Sequence, residues 1–359
     1  MSRTIAAPWV AAGIALVGAG AIAATPATAP LAALSDLQSR AVQLTASWDD
    51  VLATAQANAA DIQDHFSAAP FPALQQQLAN QIGYIQGLLD GSLKFSDVTD
   101  DIQNHVNALF GTPATDDTPA TPGALFGPFL PGVDSDILYP SLDSTVNSTG
   151  TGLFDVVFLN HQFLIQILFD DGGVPRIVEA LGLDASALPL AEALINFASS
   201  PLSGILMGEI GTALSPVLQF SDDINVISEA MASGDTDAAL QALTDMPANL
   251  VNAYLNGYGT VDLMPLLDEL GIDLPPLEIV AGLPTDLTGL SLELGGLFSS
   301  GGGSIVDALG IVADGGEGIG VMDLPGLAVG PLAAMVEFGQ SIAMALGWDG
   351  SGDILGDLF

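Results

Sequence analysis

The sequence contains no cysteine among its 359 residues. This absence excludes a disulfide framework, a thiolate zinc site, a cysteine nucleophile and a lipidated N-terminal cysteine. It does not identify the redox compartment, because proteins of any compartment can lack cysteine.

Basic residues are almost as scarce, since four of them stand against 42 acidic residues and the formal net charge is −38. Lysine and arginine are the residues that neutralise nucleic-acid phosphates and anionic lipid headgroups. We therefore predict no nucleic-acid partner and no basic patch for anionic lipid. Disordered acidic chains are poor in apolar residues. Because 49% of this chain is hydrophobic, we expect it to bury a core.

Catalytic motifs are also missing. The three histidines, His65, His105 and His161, fall on separate predicted helices, and there is no G-x-S-x-G, P-loop or EF-hand pattern. We interpret each histidine as a surface or helix-face residue, and the acidic DGGEGIGVMD at 314–323 as a loop. Paired catalytic carboxylates stay open, because nothing singles out a pair. We predict no catalytic residue, no cofactor and no metal site.

The first 29 residues predict a signal peptide. Arg3 precedes an apolar stretch and small residues, and AIA at 21–23 and ATA at 27–29 both fit A-x-A cleavage, at about residues 23–29. An uncleaved membrane anchor is the alternative. Farther on, the most apolar runs, 156–169 and 193–208, are too short for membrane spans and are interpreted as buried helices.

Apolar spacing in the rest of the chain predicts a mainly α fold. Its expected parts are a long N-terminal helical hairpin, a Pro/Thr/Gly/Asp-rich linker, a central body of short helices, and a Gly/Leu-rich, partly irregular C-terminal region with weak helices or turns. These parts correspond to residues 30–111, 112–150, 151–272 and 273–359.

An asparagine stripe marks the stretch DMPANLVNAYLNGYG, residues 245–259. We expect a short helix here, with Asp245 as its cap, Pro247 in its first turn and Gly257 after its end. At about 100° per residue, Asn249, Asn252 and Asn256 fall within roughly 60° of one another. The stripe is either an ordinary solvated face or an uncharged polar seam, which contacts another helix or lines a watery passage.

Several segments together resemble one family: the leader VAAGIALVGAGAIAATP, then LQSRAVQLTASW, LQQQLANQIGYIQGLL, ALTDMPANLVNAYLNGYG and GLFSSGGGSIVDALG. They resemble the outer-membrane porins of the Gordonia porin A type, from mycobacteria and related mycolic-acid actinobacteria. PANLVNAYLNG also resembles segments of other mycobacterial envelope proteins, including the PPE group. The resemblance implies a channel-forming protein of the mycolate outer membrane, and it supplies no functional residues.

We therefore expect an exported, non-enzymatic envelope protein of the cell wall or outer membrane, or a secreted one. The expected function is a porin-like channel that passes ions or small hydrophilic solutes. The alternatives are a non-conducting structural or interaction protein of the cell wall and, least favoured, a secreted hydrolase. Expected partners are cell-envelope lipids or proteins, with assembly into a homo-oligomer as a further option.

Overall fold

The fold is described from a computed structural model. It describes residues 47–112, 121–127, 142–143, 145–156, 159–170, 173–180, 182–272, 276–280, 283–316, 319–350 and 354. The predicted signal peptide, and most of the predicted linker, lie outside these residues.

Three helices begin the described chain: α1 (Trp48–Ala68), α2 (Pro72–Asp90) and α3 (Phe95–Phe110). Ser47 caps α1, because its Oγ accepts the N–H of Asp50 at 3.2 Å. A proline at the first position starts α2, which ends at Gly91 with a left-handed φ of 79°. The helical periodicity of this region is thus present in the structure.

The expected pairing of the first two helices into a hairpin is not found. α1 packs mainly against helix α8 (Thr236–Asn256), and α2 packs mainly against helix α10 (Pro331–Ala345). The turn between α1 and α2 contains Phe71, whose left-handed φ of 51° is uncommon for a bulky residue. Long-range packing therefore decides where these helices lie.

The central region contains two long helices where short ones were expected. The shorter helices are α4 (His161–Asp170), α5 (Gly173–Ala180), α6 (Leu188–Ala198) and α9 (Met264–Leu270). Helix α7 (Pro201–Ser233) has 33 residues and α8 has 21, and they contain Pro216 and Pro247 in their interiors. A proline inside a helix lacks the N–H donor and costs about 3 kcal/mol. Both helices nevertheless continue past their prolines, and α7 packs extensively against α8 and α10.

A stripe of glycines lets α7 approach backbone directly. A Cβ added at Gly204 would lie 1.9 Å from the Gly303 carbonyl oxygen, and one at Gly208 would lie 2.4 Å from the Pro331 nitrogen. At Gly211 it would lie 2.7 Å from the oxygen of Gly295. The first half of α7 is therefore a core helix, enclosed by the glycine-rich segments that follow the sheet strands.

Residues 277–324 contain four antiparallel strands where weak helices or turns were expected. Four other described strands lie earlier in the chain. The described strands are β1 (Gly111–Thr112), β2 (Thr121–Pro122), β3 (Thr149–Gly150), β4 (Gly259–Asp262), β5 (Leu277–Val280), β6 (Leu283–Leu294), β7 (Leu309–Asp314) and β8 (Val321–Leu324). The main sheet has the order β3-β8-β7-β6-β4, and β5 also pairs with β6. The period-two alternation of GLSLEL in β6 is the local signal for a strand.

Two hydrophobic clusters hold these layers together. The larger joins α6 and α7 to the strand-flanking segments through Ile195, Met207, Leu294, Val306 and Val329. The smaller lies against β7 and β8 and includes the fully buried Phe154 and Met322. The fold is mainly α, and helix α10, which precedes Gly347, is the last described helix.

Candidate functional site

The asparagine stripe lies on α8, but in the second half of a long helix. Asp235 caps this helix by accepting the N–H of Ala238 at 3.0 Å. Asp245 lies inside the helix and accepts a hydrogen bond from Gln241, so its expected capping role is wrong. Pro247 is likewise internal. Gly257 follows the helix, as predicted, with a φ of 103°.

Asn249 joins α8 to α7. Its Nδ2 donates to Oδ1 of Asp223 at 2.9 Å, and Nε2 of Gln219 donates to the same oxygen at 3.0 Å. Asp223 is 6% exposed, and its Oδ2 has no hydrogen-bond partner among the described residues. The carboxylate is thus held between the two helices by amide groups and without a cation.

Asn256 joins α8 to α1 instead, and Asn252 bonds to Asn256. Nδ2 of Asn256 donates to Oδ1 of Asn252 at 2.8 Å and to the carbonyl oxygen of Val51 at 3.1 Å. The backbone carbonyl of Asn256 accepts the Ser299 hydroxyl at 2.9 Å. Asn249 and Asn256 therefore form hydrogen bonds to two different helices, whereas the bond of Asn252 lies within α8.

Helix α7 presents a buried polar stripe in the same region. Thr212, Ser215, Gln219 and Asp223 recur at helical spacing and are all at most 9% exposed. The Ser215 hydroxyl donates to the Gly295 carbonyl at 3.4 Å. Gln219, Asp223 and Asn249 thus form a polar contact inside the α7–α8 pair, whereas the buried residues of α8 are Ala239, Ala248 and Ala253.

The exposed surface of the α7–α8 pair carries polar residues such as Asn225 and Glu229, and it also includes an apolar stripe. On α7, Val217, Phe220, Ile224 and Met231 recur on one side of the helix and are 44% to 66% exposed. On α8, the exposed Leu240, Leu243 and Tyr254 fall on the arc opposite the three asparagines. We call these seven residues the outer apolar face. Helices of water-soluble proteins usually turn their apolar stripe toward the core.

A second set of exposed apolar side chains lies on the N-terminal helices. The largest exposures on α2 and α3 are those of Leu74, Ile85, Leu89, Phe95 and Phe110, from 59% to 83%. Contiguous exposed apolar surface indicates an interaction site for protein or lipid. Two separate regions of the described chain therefore carry exposed hydrophobic side chains.

By length and composition, α7 is the one helix in the described chain that could cross a membrane. Half of its most apolar 18-residue window is buried inside the fold. A core helix of a soluble protein passes the same test, so this property alone is weak evidence.

A separate group of ionisable residues is buried beside the sheet. His161 and Asp307 are both fully buried, and Nδ1 of His161 lies 4.0 Å from Oδ1 of Asp307. His161 lies on helix α4, as predicted, but it is buried, so a surface position for it is wrong. His65 is exposed and His105 is partly exposed, with Nδ1 of His105 3.4 Å from the Tyr84 hydroxyl. Burial raises the pKa of Tyr84 to about 12, and its hydrogen bond to Asp101 acts in the same direction.

Several other acidic residues accept hydrogen bonds from nearby groups. Asp50 accepts the Ser47 hydroxyl at 2.6 Å at the start of α1, and Asp101 accepts the Tyr84 hydroxyl at 2.6 Å. Asp314 accepts the N–H of Gly316 in the turn after β7. In the described ranges, no group of three or more His, Asp or Glu residues is arranged to hold a metal ion.

Sequence reasoning did not single out Asp223 of α7, Asp307 or Glu337 of α10. The residues next to each of these acids in the sequence give no sign of burial, because the segments that bury the acids are far away in the chain. Comparison with known proteins gave no match, whether to a family model, to a curated protein or to a solved structure.

Proposed function

We propose that this protein is an exported component of the cell envelope and forms a porin-like channel of a mycolate outer membrane, which passes ions or small hydrophilic solutes. The observation that carries the proposal is a polar contact between Asp223 and Asn249 inside the α7–α8 pair, together with an exposed apolar stripe that includes Phe220 and Ile224. Lipid-facing helices have this arrangement, because polar groups in hydrocarbon must find partners inside the protein.

A channel would have to arise from several copies. Gln219, Asp223 and Asn249 hydrogen-bond one another, so the polar groups inside one pair are occupied by one another. We infer that assembled copies surround the water path and expose the outer apolar face to lipid. With 42 acidic and four basic residues, the path would favour cations by electrostatics.

Planar bilayers test the channel directly. Protein without residues 1–23 is added to bilayers that contain mycolate lipids, and discrete, cation-selective conductance steps are the expected result. The matched control is the same protein carrying Phe220→Gln and Ile224→Gln, which should give fewer insertion events at equal concentration. Absence of conductance at high protein concentration, with protein bound to the bilayer, would reject the channel.

A non-conducting interaction protein is the second candidate, and the exposed residues of α2 and α3 favour it. Leu89 and Phe95 are 83% and 77% exposed, and they lie away from the α7–α8 pair in sequence. Lipid binding without conductance would support this candidate. A secreted hydrolase is the least favoured, since Nε2 of the buried His161 is engaged by the Leu309 carbonyl at 2.9 Å.

A further inference from the structure

Asp307 joins several distant segments in the interior. Its Oδ1 accepts the backbone N–H of Asp143 at 2.9 Å, and its Oδ2 accepts that of Gly303 at 2.8 Å. Its carbonyl accepts the N–H of Leu327 at 2.7 Å. The side chain is fully buried, so all of these contacts lie away from water. Displacing this one residue would separate the chain around Asp143 from the segment that leads into β7.

His161 brings a fourth segment to the same point. Nε2 lies 2.9 Å from the Leu309 carbonyl oxygen, which can only accept, so Nε2 carries a hydrogen. In the neutral ring Nδ1 is then bare, and it lies 4.0 Å from Oδ1 of Asp307. Nδ1 has no hydrogen-bond partner among the described residues. Two atoms that are both acceptors therefore face each other unless a proton resides on one of them.

Glu337 of α10 is close enough to this group for the charges of Asp307 and Asp143 to act on it. The residue as a whole is partly exposed, but its Oε2 is inaccessible to solvent and has no hydrogen-bond partner in the described chain. No lysine or arginine follows Arg176 in the sequence, so α7, α8, α10 and the main strands β4 to β8 contain no such cation to offset these negative charges.

We propose that Asp143, His161, Asp307 and Glu337 form a pH-sensitive lock, which holds α4, α10 and the segment 301–309 together while Asp307 and Glu337 carry protons and loosens when they ionise. The lock is independent of channel formation, because none of its residues lies on the outer apolar face.

Burial is the main cause that favours the protonated acids. It raises the pKa of Asp307 to about 7, although the N–H groups of Asp143 and Gly303 oppose the rise. It also raises the pKa of Glu337 well above its ordinary value, and the charges of Asp307 and Asp143 add to this effect. Burial lowers the pKa of His161, against the effects of the Leu309 carbonyl and Asp143.

The signs of these shifts define the pH range. A carboxyl with a raised pKa binds its proton more tightly in the folded state. The contribution of Asp307 to folding stability is therefore complete below its ordinary pKa of 3.8. That contribution is lost as the pH rises through about 7. His161 acts in the opposite direction, because unfolding below its ordinary value of 6.5 allows it to take up a proton. Asp307 therefore loses its contribution between about pH 4 and pH 7, and His161 opposes part of that loss below pH 6.5.

Glu337→Gln tests the lock, because glutamine keeps the shape of the protonated acid and cannot ionise. The wild-type melting temperature should fall from pH 4 to pH 7, and this fall should be smaller in the variant. Hydrogen exchange at the amides of Asp143 and Gly303 should reveal local opening that increases by up to roughly tenfold per pH unit for each titrating proton. Glu229→Gln, at an exposed position of α7, is the matched control and should retain the wild-type pH dependence.

An unchanged pH dependence in Glu337→Gln would overturn the proposal. If that variant does not fold, the Asp307 and Glu337 carboxyl groups of the wild-type protein are titrated by carbon NMR. Titration of either carboxyl near or above pH 6 supports the lock, whereas titration of both near pH 4 rejects it.

Discussion

Asp223 is the residue on which the polar contact inside the α7–α8 pair depends. It is a buried carboxylate that receives hydrogen bonds from Gln219 and Asn249 and has no cation at its second oxygen in the described structure. Burying a charge is tolerated only when hydrogen bonds or counter-charges compensate it. Asn249 is therefore the asparagine of the stripe whose contact matters most for stability.

We predict that Asn249→Ala lowers the free energy of unfolding by about 1–3 kcal/mol, because it leaves a buried acceptor with one donor fewer. Urea denaturation followed by circular dichroism measures the change. Asn225→Ala, at an exposed position of α7, is the control and should change stability by less than about 0.5 kcal/mol. Equal effects of the two substitutions would show that the seam is an ordinary solvated face.

Gly204 is the tightest backbone contact of α7. We predict that Gly204→Ala lowers the free energy of unfolding by about 1–3 kcal/mol or more, because the new methyl group overlaps the Gly303 carbonyl and backbone would have to move. Thermal unfolding provides the measurement.

Gly83→Ala is the matched control for Gly204→Ala. Gly83 lies inside α2, and a Cβ there has nothing within 4 Å. Alanine favours a helix over glycine by about 0.5–1 kcal/mol, so this variant should be at least as stable as the wild type. Destabilisation of both variants to the same extent would mean that the close approach of α7 to Gly303 is not the cause.

At the scale of elements, α7 passes through two environments. Its first half is a glycine-lined core helix, and its second half carries Gln219 and Asp223 inward and an apolar stripe outward. The inward side is compatible with a stable pair of helices because its amide and carboxylate groups hydrogen-bond across to α8. The outward side has no covering element in the described structure, so we propose it as the lipid contact.

The outer apolar face gives an element-scale prediction. Phe220 and Ile224 are 48% and 44% exposed, so replacing both with glutamine should leave thermal stability nearly unchanged and reduce flotation with uncharged liposomes severalfold. The control replaces with glutamine Asn225 and Glu229, which are exposed on the same helix but lie off the outer apolar face. If flotation of the two proteins is equal, lipid does not bind at this face.

At the scale of the whole molecule, local pattern predicted some parts of the fold and not others. The three N-terminal helices follow from apolar spacing at helical intervals, and α10 follows from the PLAAMVEFGQSIAMALG pattern. The long helices were missed because Pro216 and Pro247 are local stop signals that tertiary packing overrides. The strands were missed because glycine and serine obscured the alternation of Leu290, Leu292 and Leu294.

The candidate sites, like the fold, could be predicted only in part from the sequence. The angular spacing of Asn249, Asn252 and Asn256 could be derived from helix geometry, but their partners on α7 and α1 could not. Asp307 and Glu337 could not be identified at all, because their burial depends on contacts with Asp143 and His161, which are far away in sequence. Long-range contacts leave no local trace in a single sequence.

The packing of α2 against α10 also bears on how the chain is made. The amide of Asn80 donates to the carbonyl of Leu346, across 266 residues, and α1 and α3 contact the same C-terminal helix. Contacts of such sequence separation slow folding. Helix α2 emerges early from the ribosome, yet it lacks its main packing partner until residues 331–345 have been synthesised. The chain should therefore stay incompletely folded through most of its synthesis, which is the state that threading through an export channel requires.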